Sequence, residues 1–220
     1  MNKKKTILAA VVLLLVFVVG GAIAYFTDTD TKTNTFTIGN VDIDLVETQW
    51  DALTKTEGDP NIPDAAEDMM PGEFVTKDPV IRNLSTKNPA YVFAKVEVPC
   101  SKTVSTPSLP TTELFTYTVN SAWTELSTAA VACTDSGTAT HVYYYGTGGT
   151  LSPLAKAADA STPTAAPALF VDNKVTLLGT LKSEQIPNPT AAKNIVVTGY
   201  GIQTEGLAST APATVWGYFA

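Results

Sequence analysis

The sequence predicts an all-β protein: an antiparallel β-sandwich of the jelly-roll-like kind, with loop insertions and little helix. About seven to nine short segments are rich in Val, Ile, Thr, Tyr and Phe, with turn-forming Gly, Pro, Asn or Ser between them. No segment after residue 24 keeps a helical apolar stripe over three turns. Strands at this spacing are typical of two packed antiparallel sheets with a jelly-roll or immunoglobulin-like topology.

The first 24 residues have the pattern of an export signal. Three lysines precede an uncharged run from residue 7 to 24, which ends in Ala22-Ile23-Ala24. A basic start, an apolar middle and an A-x-A ending predict a cleavable signal peptide, with the cut between Ala24 and Tyr25. The alternative is an uncleaved membrane helix, because about 18 residues lie at the short end of what spans a bilayer.

The remainder, residues 25–220, is long enough for one domain with a core of its own, and we expect a single one. It has 11 basic and 21 acidic side chains, a formal charge of −10. Nucleic-acid binding needs clustered Lys and Arg, whereas here Arg82 is the only arginine and the lysines are scattered. We therefore expect no nucleic-acid partner.

Two segments carry the clearest strand pattern. The first, VDIDL, alternates Val41, Ile43 and Leu45 with two aspartates. In residues 90–98 one face is wholly apolar and consists of Val92, Ala94, Val96 and Val98. Further strands are expected within residues 73–84, 114–120, 141–146, 168–179, 194–204 and 215–219.

Three other segments lack a strand pattern. Residues 50–56 and 62–70 can each hold a turn or two of helix. Residues 151–168 are dominated by Ala, Ser, Thr and Pro, a composition that buries little apolar surface. We expect this segment to be a mobile surface loop between strands, with a short helix as the alternative.

Cys100 and Cys133 are the two cysteines of the chain. Export would place them where a disulfide persists, so we expect them to pair, with two free buried thiols as the alternative. On the chain-entropy model a loop of this size stabilises the fold by about 3–4 kcal/mol.

The sequence gives little support for catalysis. His141 is the only histidine, so a zinc protease motif with two histidines one helical turn apart is absent. No G-x-S-x-G motif occurs either. We expect His141 to be a structural or surface residue, and we expect neither enzyme activity nor a cofactor.

Two acidic segments are candidates for metal-binding loops. Residues 28–34 lack the Gly and Glu of a calcium-binding EF-hand, since these positions hold Thr33 and Gly39. A second segment could bind extracellular calcium weakly, but a solvated acidic loop is favoured; it contains Glu57, Asp59, Asp64, Glu67, Asp68 and Glu73.

Aromatic residues offer one more kind of site. Tyr143, Tyr144 and Tyr145, with Trp123 and Trp216, could form a platform for sugar rings. Strand alternation divides the three tyrosines between two sides of a sheet, so packing in the core and across strands is favoured instead.

Three segments carry a resemblance to the TasA/camelysin family of secreted bacterial proteins. They are GGAIAYFTDTDTKTNTFTIGNVDIDL (residues 20–45), MMPGEFVTKDPVIRNLSTKNPAYVFAKVEV (residues 69–98) and NIVVTGYGIQTEGL (residues 194–207). The resemblance implies secretory export, cleavage after Ala24 by a SipW-type signal peptidase, a jelly-roll-like domain, and fibres of the biofilm matrix. It also brings a metallo-endopeptidase label, for which the chain has no recognisable metal-ligand motif.

A free N-terminal arm would give such fibres a mechanism. After cleavage, residues 25–37 form a Thr-rich segment of strong β-propensity. We expect this arm to complete the sheet of a second subunit, while residues 41–45 stay in their own sheet. Such contacts are head-to-tail and generate filaments. The candidate donor-strand residues are Tyr25, Phe26, Thr27, Asp28, Thr35 and Phe36.

The leading hypothesis is therefore a secreted structural protein of the extracellular matrix or cell surface. Its expected partners are copies of itself, the signal peptidase during export and other matrix proteins, with the membrane a partner only of the precursor. One alternative is a monomeric adhesin or accessory matrix protein of the same fold. The other is a camelysin-like metalloprotease, which the single histidine argues against.

Overall fold

The computed structural model describes residues 41–55, 63–67, 69–187 and 193–220. The strands in these residues are β1 (Ile43–Val46), β2 (Phe74–Thr76), β3 (Val80–Asn83), β4 (Ala90–Pro99), β5 (Phe115–Val119), β6 (Trp123–Glu125), β7 (Thr138–Thr147), β8 (Thr150–Leu151), β9 (Thr164–Ala165), β10 (Phe170–Leu177) and β11 (Val196–Gln203). The helices are α1 (Thr48–Asp51) and α2 (Pro212–Trp216), with 3₁₀ turns at Asp64–Ala66, Ser127–Ala129 and Ser183–Gln185. Every strand pair is antiparallel, and the predicted all-β antiparallel sandwich is confirmed.

The first layer of the sandwich is a sheet in the order β11-β4-β7-β6, with β8 paired to the end of β7. The register opposes Val96 to His141 and Ala94 to Tyr143. Because directly opposed residues share a face, His141 and Tyr143 lie on the same side of the sheet as the apolar face of β4. This side faces the second layer.

The second layer is built from two short sheets, in the orders β1-β3-β9 and β2-β10-β5. Backbone hydrogen bonds continue the ladder between them: the Ala166 N–H donates to the Ile81 carbonyl (2.9 Å), and the Leu169 N–H to the Pro79 carbonyl (3.0 Å). β2 leads into β3 and β9 leads into β10, so the layer has the order β1, β2/β3, β9/β10, β5. β1 and β5 consequently lie at its opposite edges.

The core lies between the two layers and rests on the alternation of β4. Val92, Val96 and Val98 are fully buried there. On the neighbouring strand β11, Gly201 allows a close approach of the layers, since a Cβ at this position would lie 2.7 Å from Cγ2 of Ile43. A larger residue at Gly201 would force the two layers apart.

The outer face of the first layer is covered by the C-terminal segment. Phe93 is fully buried, with its ring centroid 5.6 Å from that of Trp216 and 5.8 Å from that of Phe219. The prediction of a strand at residues 215–219 is wrong, because this segment contains the end of α2 and a following turn. Pro212 suits the first turn of a helix. Trp216 and Phe219 are separated by about one turn, so both side chains contact the sheet from the same side.

The Ala-rich segment at residues 151–168 contains no helix but is attached to both layers. Ala90 and Leu154 exchange two backbone hydrogen bonds, of 2.9 and 2.7 Å. β9 lies within the segment and pairs with β3. Leu154 and Ala157 are buried, so the segment is a loop for most of its length but is anchored at several points. No helix in the described part of the chain is long and apolar enough to span a membrane.

Candidate assembly edge

The edge strand β5 has one unpaired side in the described fold. The Leu178 N–H donates to the Leu114 carbonyl (2.8 Å), and the pairing continues with Thr176 opposite Thr116. The Leu114 N–H instead donates to the Pro99 carbonyl (2.9 Å), so the unpaired side of β5 begins after Leu114. Backbone direction alternates along an antiparallel strand, so the N–H and C=O groups of Phe115, Tyr117 and Val119 point away from β10. No other strand of the described residues pairs with β5 there. These groups form a template for an additional strand.

The other edge strands in the described residues are shorter than β5 or have both faces packed. β6 has three residues and β1 has four. β11 has eight, but its faces are packed: Gly201 lies against Ile43, and the ring of Tyr200 lies 5.0 Å from that of Trp216. β5 combines five residues with an exposed outer face, where Thr116 and Thr118 point to solvent.

Open space lies on both sides of β5. On the inner side, a cleft of about 350 Å³ separates β5 from the edge strand β6 of the other layer. On the outer side, a groove of about 320 Å³ runs between β5 and β10. The inner cleft, called the β5/β6 cleft below, is lined by Thr112, Glu113, Phe115, Thr116, Tyr117, Val119, Glu125, His141 and Tyr143.

A histidine held between two carboxylates forms the polar end of the β5/β6 cleft. Nε2 of His141 lies 2.9 Å from Oε1 of Glu113, and Nδ1 lies 2.7 Å from Oε1 of Glu125. Glu113 precedes β5 in the second layer, whereas Glu125 ends β6 in the first. His141 therefore links the edges of the two layers.

The surroundings of His141 favour its charged form. The hydrogen bond to Glu113 raises the pKa of the imidazole most, partial burial opposes it, and the hydrogen bond and charge of Glu125 add to the increase. The resulting pKa is about 9, against an ordinary value of 6.5. At neutral pH the charged imidazole donates one N–H to each glutamate.

Two tyrosines close the floor of the β5/β6 cleft. The hydroxyls of Tyr117 and Tyr143 lie 3.1 Å apart, which joins the layers by a second polar contact. Burial raises the pKa of both, that of Tyr143 to about 12, with the nearby glutamates adding to the effect. The ring of Tyr117 also packs 4.5 Å from that of Phe170. The floor is thus neutral and aromatic up to high pH.

A bulge in β10 shapes the outer groove. Between Phe170 and Val175 the register with β5 shifts, and Asp172 and Asn173 have φ values of 56° and 52°. Asp and Asn tolerate this left-handed conformation better than other non-glycine residues. The bulge lies beside the C-terminal half of β5.

The other charged cluster of the described core is structural. Nζ of Lys77 lies 3.0 Å from both carboxylate oxygens of Glu47, and both side chains are almost fully buried. The Asp78 carboxylate accepts the backbone N–H groups of Gln49 (2.9 Å) and Trp50 (3.1 Å) and so caps α1. These residues fix the segment after β1 to the second layer.

Most of the residues expected from the sequence to act in export and assembly lie outside the described residues. They are Ala22, Ala24, Tyr25, Phe26, Thr27, Asp28, Thr35 and Phe36.

Cys100 and Cys133 are bonded to each other, with Cα atoms 5.7 Å apart. This disulfide ties the end of β4 to the segment before β7.

The aromatic platform does not form. Tyr143 and Tyr145 lie on the inner face of the first layer and Tyr144 on the outer face, as the alternation predicts. Trp123 packs beside Tyr145 (5.6 Å between ring centroids), whereas Trp216 lies on the outer face.

Sequence reasoning missed the cluster around His141. Four side chains surround the histidine. Glu125, Tyr117 and Glu113 lie 16 to 28 residues from it in the sequence, and Tyr143 is the next residue on the same face of its own strand. Strand alternation correctly placed His141 beside tyrosines, but only the pairing of β6 with β7 and the packing of β5 bring the glutamates to it.

The acidic loop is only partly described. Asp64, Glu67 and Glu73 lie in the described residues, and Glu73 Oε2 accepts the Met70 N–H (2.7 Å). The remaining carboxylates, Glu57, Asp59 and Asp68, lie outside them. Calcium binding here therefore stays a sequence-based alternative.

The donor set does not fit a catalytic zinc ion. Such sites use several His, Glu or Asp ligands that converge on one point. In this chain both ring nitrogens of the single histidine face separate carboxylates, one on each side of the ring. In the described ranges no three His, Cys, Asp or Glu side chains are grouped to hold a metal ion.

Comparison with known proteins gives one match. A family model described as camelysin metallo-endopeptidase matches residues 2–105, which run from the N-terminal segment through β4. No curated protein and no solved structure matches the chain. The matched region includes two of the three segments that carry the sequence resemblance.

Proposed function

Residues 2–105 make the chain a member of the TasA/camelysin family, and from this premise we propose that it is a secreted structural protein that assembles into extracellular or cell-surface fibres of a biofilm matrix. Family membership supports a TasA-like matrix protein. The signal-peptide pattern of residues 1–24 supports export. Fibre formation needs a repeated contact between identical subunits.

The unpaired side of β5 is the observation that carries this proposal. A sheet edge with free backbone groups binds an extended segment through main-chain hydrogen bonds, which do not depend on a particular side chain. Residues 25–37 precede β1 and have the β-branched composition of a strand. A subunit with both features can donate to one neighbour and accept from another, and such head-to-tail contacts need not close into a ring.

Deletion of residues 25–37 tests this function. The expected product is a secreted monomer whose circular dichroism and thermal unfolding match those of the parent but which forms no fibres in negative-stain electron microscopy. Thr31→Pro is a finer variant, because proline removes one backbone donor from the arm and leaves its charge unchanged. Thr31→Ser is the matched control and should assemble normally. Fibres of normal yield from the deletion variant would refute the proposal.

The family description also names a metallo-endopeptidase, which favours a second candidate function. The one histidine of the chain, engaged by two glutamates, does not support it. Casein cleavage by the purified protein, abolished by a chelator and absent from a mock purification of the same host, would establish the protease function instead.

A further inference from the structure

Two carboxylates of the β5/β6 cleft each have one oxygen without a partner in the described residues. Glu113 and Glu125 bind His141 through Oε1, and neither makes a further hydrogen bond or ion pair there. Their side chains are 31% and 42% exposed, so both carboxylates are open to an incoming donor. The described lining of the cleft contains no lysine or arginine. This end of the cleft therefore favours a ligand that donates hydrogen bonds and carries a positive charge.

The floor of the cleft lacks an acceptor instead. The hydroxyls of Tyr117 and Tyr143 lie 3.1 Å apart, and one hydrogen bond between them uses only one of their two hydrogens. Neither hydroxyl makes another hydrogen bond within the described ranges, so one hydrogen is left over. Tyr143 is only 5% exposed, and a buried donor without an acceptor costs free energy. A ligand that brings an oxygen to the floor would remove this cost.

Apolar side chains form the wall between these two groups. Phe115 and Val119 alternate with the outward-facing threonines of β5 and so lie on the same side as Tyr117. The cleft has a volume of about 350 Å³, which lies in the range of small-ligand sites and suits one sugar ring. Aromatic and aliphatic surfaces pack well against the C–H groups of such a ring.

The polar groups of the lining distinguish between classes of ligand. An alkylammonium ion satisfies the carboxylates but offers no acceptor to the tyrosine hydroxyls. An acidic sugar offers acceptors but brings a negative charge to two glutamates. A neutral sugar has donors and acceptors but no charge. An amino sugar has a positive charge, donors and acceptors, and so matches the whole lining.

We infer that the β5/β6 cleft binds an amino sugar unit of a polysaccharide, with its ammonium group at Glu113 and Glu125 and a sugar oxygen that accepts from the tyrosine pair. The cleft opens between two sheet edges, so neighbouring sugar units can extend out of it. This inference adds a ligand to the proposed matrix function. It does not depend on fibre formation, because all the lining residues belong to one chain.

Isothermal titration calorimetry of the secreted protein tests the class of ligand. The probes are three trisaccharides with the same linkage: the trimers of glucosamine, of N-acetylglucosamine and of glucose (cellotriose). At about pH 6, where the sugar amine is charged, the glucosamine trimer should bind about tenfold more tightly than cellotriose, because charged hydrogen bonds replace neutral ones. The N-acetylated trimer should bind no more tightly than cellotriose. Equal affinity for all three would overturn the ammonium contact, and no binding of any trimer would overturn the site.

Glu113→Gln combined with Glu125→Gln tests the carboxylates, since each glutamine keeps an oxygen that accepts an N–H of His141. The affinity for the glucosamine trimer should fall about tenfold, to that for cellotriose. Glu184→Gln combined with Glu205→Gln is the matched control, because both glutamates are exposed and lie outside the cleft. An unchanged preference for the glucosamine trimer in the cleft variant would exclude the two glutamates as its partners.

Tyr117→Phe combined with Tyr143→Phe tests the floor, since it removes both hydroxyls and keeps both rings. The affinities for the glucosamine trimer and for cellotriose should fall by the same factor, because both sugars supply the accepting oxygen. Tyr218→Phe is the control, as Tyr218 is exposed outside the cleft. Unchanged affinities would exclude the hydroxyl contact. The comparison of ligands uses the parent protein alone, so it decides the question even if a variant fails to fold.

Two further probes complete the titrations. Cadaverine binding as tight as that of the glucosamine trimer would show that the cleft recognises an ammonium group and would overturn the sugar assignment. Binding of glucosamine alone, without the trimer, would overturn the assignment to a polysaccharide. Electron microscopy of the same samples keeps the two proposals apart. Absence of fibres from a protein that binds the glucosamine trimer would overturn the proposed fibre function and leave this site intact.

Discussion

Nε2 of His141 lies 2.9 Å from Oε1 of Glu113, and this hydrogen bond joins the two layers of the sandwich at the edges that border the β5/β6 cleft. The histidine belongs to β7 in the first layer, and the glutamate precedes β5 in the second. Glu125 holds the opposite ring nitrogen, so the ring cannot rotate without loss of both bonds. The width of the cleft is set by these three side chains together with Tyr117 and Tyr143.

Stability should fall as the pH rises through the pKa of His141. Its folded-state pKa is raised to about 9, chiefly by the hydrogen bond to Glu113, from 6.5. The stabilisation is therefore fully present below pH 6.5 and is lost as the pH passes about 9. The tyrosine hydroxyls that face the ring stay protonated in this window, because their pKa values are raised as well.

Two measurements check this prediction. Proton–carbon NMR of the single histidine should give a midpoint near pH 9. Urea unfolding between pH 6 and 10 should show a decline in the free energy of unfolding that His141→Gln lacks. An equal decline in both proteins would assign it to other groups, and a midpoint near 6.5 would contradict the two glutamate contacts.

Gly201→Ala should destabilise the sandwich by about 1–3 kcal/mol, the usual range for overpacking. The added methyl group would lie 2.7 Å from Cγ2 of Ile43, between the layers. In an Ile43→Ala background the same substitution should cost much less, since the clash is removed. Denaturant unfolding of the four proteins gives the coupling energy. Additive effects would show that the contact does not limit the layer spacing.

Reduction of the disulfide should cost about 3–4 kcal/mol, because the closed loop restricts the unfolded chain. Cys100→Ser with Cys133→Ser is the variant, and it should retain the β-sheet circular dichroism spectrum at low temperature. Its midpoint of thermal unfolding should match that of the reduced parent. A difference between these two midpoints would indicate that the serines, and not the missing bond, cause the loss.

Lys77→Met should cost about 3–5 kcal/mol, because it leaves the carboxylate of Glu47 buried without its cation. Glu47→Leu combined with Lys77→Met should be more stable than the single variant, since no uncompensated charge remains. Urea unfolding at pH 7 compares them. If the double variant is less stable than Lys77→Met, the ion pair is not the main contribution of these side chains.

The sequence predicts well those elements whose packing is local. In β4 the alternation of Val92, Val96 and Val98 with polar or aromatic residues identifies both the strand and its buried face, because every second side chain meets the same layer. The segment at residues 215–219 misleads for the opposite reason. Its apolar residues pack against the outer face of the first layer. Composition alone does not show whether a helix or a strand covers that face.

The candidate site could be predicted less well than the fold. The arm and its β-propensity are visible in the sequence, but its expected acceptor depends on which strand is left at an edge. That β5 lies opposite β1 follows from backbone bonds such as Leu169 to Pro79, which join two short sheets into one layer. Backbone hydrogen bonds of this kind do not depend on side-chain type, so the sequence does not reveal them.

The position of β1 and β5 at opposite edges of one layer has a consequence for growth. In the proposed fibre, a row of subunits joined through these edges would have unlike ends: one terminal subunit would have an unpaired β5, and the other an unpaired arm. Elongation would then be polar. A subunit without its arm would still accept a neighbour but could not pair with the next, so a small fraction of trimmed chains would limit fibre length.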